Sequence, residues 1–132
     1  GGWKIFKDHP LTGCGFKCVD LIHSQYPDPS GYIARFRGMH SNLFQLLVDT
    51  GILGLSAWLS IWATYLTVIY KRSIQFTNKN FQGLAMGAVA AVLGFLAGGI
   101  FETNFYDSEI VMLLYFIMGI SLAQTNQKPL QY

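Results

Sequence analysis

The chain has 132 residues, 52% of them hydrophobic and only 12% charged, with a net charge of +2 and two cysteines. Its mean hydropathy is just +0.33, so the composition fits a membrane protein that also carries a sizeable water-exposed segment. The charges are segregated, and no nucleic-acid partner is expected.

Residues 1 to 40 form the water-exposed part. The opening Gly1-Gly2-Trp3-Lys4 has no charged stretch followed by an apolar one, so nothing here reads as a signal peptide. Five cations (Lys4, Lys7, Lys17, Arg35, Arg37) face three acids (Asp8, Asp20, Asp28), an excess that either binds an anion or simply solvates a loop. His9, Cys14, Cys18 and His23 form an H-x4-C-x3-C-x4-H arrangement of zinc-compatible ligand types at a non-standard spacing. The cysteines could equally form a disulfide on an oxidising face or remain thiols. Gly13 and Gly15 are expected to shape a turn after His9-Pro10.

The run Arg35-Phe36-Arg37-Gly38-Met39-His40-Ser41-Asn42-Leu43-Phe44 brings two guanidinium groups and a histidine to the lip of a long apolar stretch. Asn42 followed by Gln45 resembles a capping box, which puts His40 just before the first helical turn. Helix amides and nearby arginines favour an anion there and disfavour an imidazolium. A neutral His40 could therefore act as a base beside a bound phosphate, or it could be an interfacial histidine reaching for water.

Three stretches lack charge altogether: Thr50 to Tyr70, Asn80 to Phe101, and Ile110 to Gln127. A bilayer core of roughly 30 Å needs about 20 apolar residues at 1.5 Å rise, so the first two are spans. The third is apolar only from Ile110 to Ala123 and needs help from Phe105 and Tyr106 or from local thinning. Trp58 and Trp62 lie too deep for an interfacial belt and are expected to pack on lipid or on helices of the missing upstream part, whereas Tyr70 beside Lys71 anchors the interface. Gly83, Gly87, Gly94 and Gly98 make small-xxx-small pairs that permit close helix approach. Lys71, Arg72 and Lys79 are unopposed in one short connection, while Glu102, Asp107 and Glu109 hold the next. The positive-inside rule then puts residues 71–80 in the cytoplasm and residues 1–40 and 102–109 outside.

The expected fold is therefore all-α: a polytopic membrane-protein fragment of about three transmembrane helices with an amino-terminal extracytoplasmic loop. Residues 1–40 are that loop, 41–127 the spans (near 43–70, 81–101 and 107–124), and 128–132 a cytoplasmic tail carrying Lys128. Because the loop has no hydrophobic partner of its own and three spans make a thin bundle, a carboxy-terminal portion of a larger multi-pass protein is expected. A transporter or channel subunit would want mid-membrane charge or a broken helix, and the sequence signals neither.

His9-Pro10-Leu11-Thr12-Gly13-Cys14-Gly15-Phe16, then Met39-His40-Ser41-Asn42-Leu43-Phe44-Gln45-Leu46-Leu47, Gly51-Ile52-Leu53-Gly54-Leu55 and Gly99-Ile100-Phe101-Glu102-Thr103-Asn104-Phe105 together resemble the carboxy-terminal region of the O-antigen ligase and polymerase superfamily. The resemblance implies a glycosyltransferase at the periplasmic face of a bacterial inner membrane. Its donor is a glycan on a polyprenyl diphosphate, its acceptor the lipid A core or another glycan, and it requires no metal or cofactor. O-antigen polymerase and protein O-oligosaccharyltransferase are alternatives within the superfamily. By position His40 matches the family's essential loop histidine. Arg35 and Arg37 are candidates for donor binding, Asn42 for substrate binding, and Glu102 and Asp107 for acceptor sugars or an alternative base.

Overall fold

The computed structural model describes residues 1–26, 28–75 and 78–125. These are all-α: α1 (Gly2–Asp8), α2 (Cys18–Ile22), α3 (Tyr32–Phe36), α4 (Asn42–Ser73), α5 (Lys79–Phe101) and α6 (Ser108–Thr125), with single 3-10 turns at His23–Gln25 and Asn104–Tyr106. No strand occurs among the described residues. Lys128 and the expected tail lie outside them.

α4 and α5 are long and apolar enough to cross a membrane; α6, at 18 residues, is shorter. α5 is begun by the Asn78 side chain, which accepts from the Asn80 N–H at 2.9 Å, and α4 closes on Lys71 and Arg72, cations that suit the negative end of a helix. The three helices share one core. α5 contributes Ala85, Ala88, Val92 and Phe95, α4 contributes Trp62, Tyr65 and Ile69, and α6 contributes Leu114 and Met118. Inside it the Tyr65 hydroxyl meets Ser121 Oγ at 2.8 Å.

Three expectations change here. Trp62 is 3% exposed and packs within the chain, against Phe95 and parallel to Tyr115, because the 3-4 spacing that carries it also carries Tyr65 and Ile69 into the core. The packing row of α5 runs through Ala85, Ala88, Val92, Phe95 and Gly99, so a Cβ at Gly83, Gly87 or Gly94 would meet nothing within 4 Å; among the described residues those glycines make no close approach. The outer segment does possess a small core of its own, in which Ile5, Cys18, Val19 and Ile33 close over Val48 of α4.

The outer segment is held by a break in α4. At Gly51 the backbone leaves helical geometry (φ 65°, ψ −168°), so the N–H groups of Ile52 and Leu53 lose the carbonyls of Val48 and Asp49, their partners in an unbroken helix. The Pro10–Gly15 loop replaces both bonds. Cys14 and Gly15 donate to Val48 O (3.0 Å) and Asp49 O (2.9 Å), while Ile52 and Leu53 donate to Pro10 O (3.0 Å) and Leu11 O (3.2 Å). In lipid or in a core, four orphaned groups would each cost about 1–3 kcal/mol. Two glycines permit this clasp: a Cβ at Gly51 would strike the Leu11 backbone, and one at Gly13 the backbone of Asp49 and Thr50, and both residues have positive φ. A continuous helix from Thr50 to Tyr70, as the uninterrupted apolar run implies, is thus not what forms.

Candidate active site

The clasp sets the Lys17 end of the loop beside the start of α4, and the turn after α5 closes the third side. Between them lies a cleft of about 280 Å³ lined by Lys17, Phe36, Arg37, His40, Glu102 and Tyr106, with Asp20, Gly38, Gln45 and Thr103. Two cations and two carboxylates therefore share its wall.

His40 is the central side chain. Its Nδ1 lies 3.3 Å from Glu102 Oε1, and its ring sits edge-to-face with Phe36 at 5.1 Å and Tyr32 at 5.8 Å. The aromatic walls come from α3, which ends when Arg37 turns into the left-handed region (φ 51°) and its N–H donates to Ile33 O at 2.8 Å. His40 is left-handed as well (φ 48°). Two non-glycine residues in that region within four positions cost about 1–2 kcal/mol each, so surrounding bonds must hold the turn. An imidazole whose Nδ1–H points at a carboxylate keeps Nε2 as a free acceptor, the arrangement a general base needs.

Of the residues singled out in the sequence, His40, Arg37 and Glu102 come together. Arg35 is exposed outside the cleft, its guanidinium 5.3 Å from the Phe36 ring centroid. Asp107 is also outside; its carbonyl accepts from Val111 N–H at 3.0 Å and starts α6. Asn42 is not the cap of α4, because Ser41 takes that position without a side-chain bond. Instead Asn42 is 1% exposed, donates to Asn104 Oδ1, and accepts from Phe105 N–H at 3.2 Å, tying α4 to the turn that carries Glu102. A Cβ at Gly99 would collide with this amide, which is the approach that the glycine allows.

Three residues of the site gave a weak sequence signal: Lys17, Asp49 and Tyr106. The Tyr106 hydroxyl donates to Asp49 Oδ2, and Lys17 holds its ammonium 5.0 Å from the Tyr106 ring centroid. Burial, then the bond to Asp49, pushes the Tyr106 phenol well above its ordinary range, so it stays a donor at any physiological pH. Tyr106 thus serves the outer turn, and of the two expected aids to the short third span, help from Phe105 and Tyr106 or local thinning, this ring is occupied elsewhere. Its pairing with Asp49 crosses 57 positions, and no local pattern announces such a contact.

The zinc arrangement does not assemble. Cys14 and Cys18 are joined as a disulfide, and the acid that approaches them within 4.8 Å is Asp49, neither His9 nor His23. His23 Nδ1 is engaged instead with Asp20 O at 3.0 Å. With both sulfurs bonded and Asp49 committed to Tyr106, Gln45 and the Lys17 N–H, this cluster has no thiolate to offer a metal.

Comparisons with protein-family models, with curated proteins and with solved structures find no significant match for this chain.

Proposed function

We propose that this chain forms the catalytic outer face of a membrane glycosyltransferase that moves a glycan from a polyprenyl diphosphate to an acceptor hydroxyl, as the O-antigen ligases it resembles do. The observation that carries the reading is the cleft in which His40, oriented by Glu102, stands beside Arg37 and Lys17 at one end of two helices apolar enough to span a bilayer. In this reading α4 beyond its break, α5 and α6 are the three spans of a bacterial inner-membrane protein, and the cleft opens to the periplasm.

The chemistry is a single displacement. His40 Nε2 takes the proton of the acceptor hydroxyl, whose oxygen forms a bond to the anomeric carbon as the bond from that carbon to the diphosphate oxygen breaks. The polyprenyl diphosphate leaves with the electron pair, its charge met by the Arg37 fork and the Lys17 ammonium. Glu102 keeps Nδ1 protonated and stabilises the imidazolium that forms. The anomeric centre inverts, and no metal is needed for the step.

The break at Gly51 is the kind of feature a transporter uses to bind ions or substrate with freed backbone groups. Here all four freed groups are taken by the Pro10–Gly15 loop, which leaves none for a ligand. The reading is tested by incubating the purified full-length protein with a defined polyprenyl-diphosphate glycan and, in parallel, lipid A core, a second glycan and a protein acceptor. Transfer to one of them is the expected result, and the acceptor used separates ligase, polymerase and protein-directed transferase. Tight donor binding with no transfer to any acceptor would contradict it.

A further inference from the structure

The turn that presents His40 is held by two buried polar side chains of α4, Gln45, which reaches the cleft wall, and Asp49, which accepts from the Tyr106 hydroxyl. Gln45 is 2% exposed and Asp49 1%. Gln45 Oε1 accepts from the backbone N–H of Met39 at 2.9 Å, and its Nε2 donates to Asp49 Oδ1 at 3.0 Å. A carboxylate only accepts, so Asp49 dictates which way the Gln45 amide faces: nitrogen towards Asp49, oxygen towards Met39. Asp49 is itself fixed from two other elements, by the Tyr106 hydroxyl and by the Lys17 N–H at 3.3 Å. An unbroken line of hydrogen bonds therefore runs from the turn after α5 through Asp49 and Gln45 to the residue immediately before His40, while the ring of His40 reaches Glu102 at the other end of that same turn.

We infer that Gln45 and Asp49 are positioning residues that hold the strained Arg37–His40 turn so that the His40 Nδ1 stays on Glu102. The inference rests on the proposed role of His40 as base. A left-handed His40 has other backbone conformations open to it, and the Met39 N–H bond ties the turn directly to α4. Without it the imidazole would leave the carboxylate and sample both tautomers, and misplacement of a reacting group by about 1 Å costs up to roughly 10²-fold in rate.

The test uses full-length protein with 15N-labelled histidine in lipid nanodiscs, assigning the His40 ring nitrogens by their absence in His40→Gln. Gln45→Met keeps length and burial while removing both hydrogen bonds. The expected result is that the His40 nitrogens move from the pattern of one Nδ1-protonated tautomer towards an average of two, and that kcat for transfer falls about 10-fold to 10²-fold with donor KM unchanged. Asp49→Asn leaves an oxygen for Gln45 and should lose less. A folded Gln45→Met with wild-type ring nitrogens, or a rise in donor KM at wild-type kcat, would overturn the inference. Should Gln45→Met fail to fold, Asp49→Asn and Asp49→Leu decide by the same ring signals, with Leu shifting them and Asn shifting them less. Wild-type protein that shows the single tautomer yet transfers no glycan would remove the proposed function, and the ring signals in the variants would still decide the positioning.

Discussion

An imidazole is a useful base when one nitrogen is committed and the other is free, and the 3.3 Å approach of His40 Nδ1 to Glu102 supplies the first half of that condition. The position of His40 was legible in the sequence because a titratable ring between arginines and an apolar run is unusual. Its partner was not, since Glu102 lies 62 positions away and a turn full of acids also reads as solvation. Asn42 shows the same limit from the other side. Its place at a helix start suggested a cap, yet the Gly99 gap drew the amide across to Asn104 and Phe105, where it satisfies a backbone donor that would otherwise be buried alone. Asn42→Leu should therefore destabilise the protein by about 1–3 kcal/mol for each polar group left without a partner. Thermal unfolding in a fixed detergent checks this, and a transition at the wild-type temperature would show that the Asn42 contact contributes nothing.

At the level of elements, hydrophobic runs located α4, α5 and α6, but the break inside α4 escaped because a lone glycine in an apolar stretch reads as helix-compatible. What breaks the helix is the arrival of the Pro10–Gly15 loop with two donors and two acceptors in register, through bonds that cross 34 or 42 positions of sequence. Gly51→Ala should undo it, because the new Cβ meets the Leu11 backbone and alanine disfavours the φ of 65° that the clasp requires; hydrogen exchange at the Ile52 and Leu53 amides is expected to speed up. Gly87→Ala is the matched control: its Cβ meets nothing, and alanine is favoured over glycine in a helix by about 0.5–1 kcal/mol. Equal exchange rates in the two variants would refute the clasp. The same loop carries the disulfide, and because that bond occupies both sulfurs, chelators should leave glycan transfer unchanged. Stoichiometric zinc, lost together with activity in Cys14→Ser and Cys18→Ser, would restore the metal alternative.

For the whole molecule, the all-α class and two of the apolar helices followed from composition and length, whereas the outer core around Ile5, Val19 and Ile33 did not, since its members are scattered between prolines and glycines. On the proposed reading, the opposed charges in the two short connections would put residues 71–80 in the cytoplasm and the cleft outside. A membrane-impermeant thiol reagent on intact cells should label a cysteine at exposed Asp107 and leave one at exposed Lys79 untouched, and the reverse pattern would invert the topology and move the cleft to the cytoplasm. In the proposed reaction His40 removes the acceptor proton beside a diphosphate held by cations, a role read directly from kinetics. It is tested most directly by measuring single-turnover transfer and donor affinity side by side in wild type, His40→Ala, Glu102→Gln and Arg37→Lys. Loss of the base should slow transfer by about 10²-fold to 10⁴-fold at unchanged donor affinity. Glu102→Gln should slow it less, and Arg37→Lys should weaken donor binding because an ammonium lacks the two-pronged fork. Near-normal turnover by His40→Ala would contradict that role and leave His40 an interfacial residue.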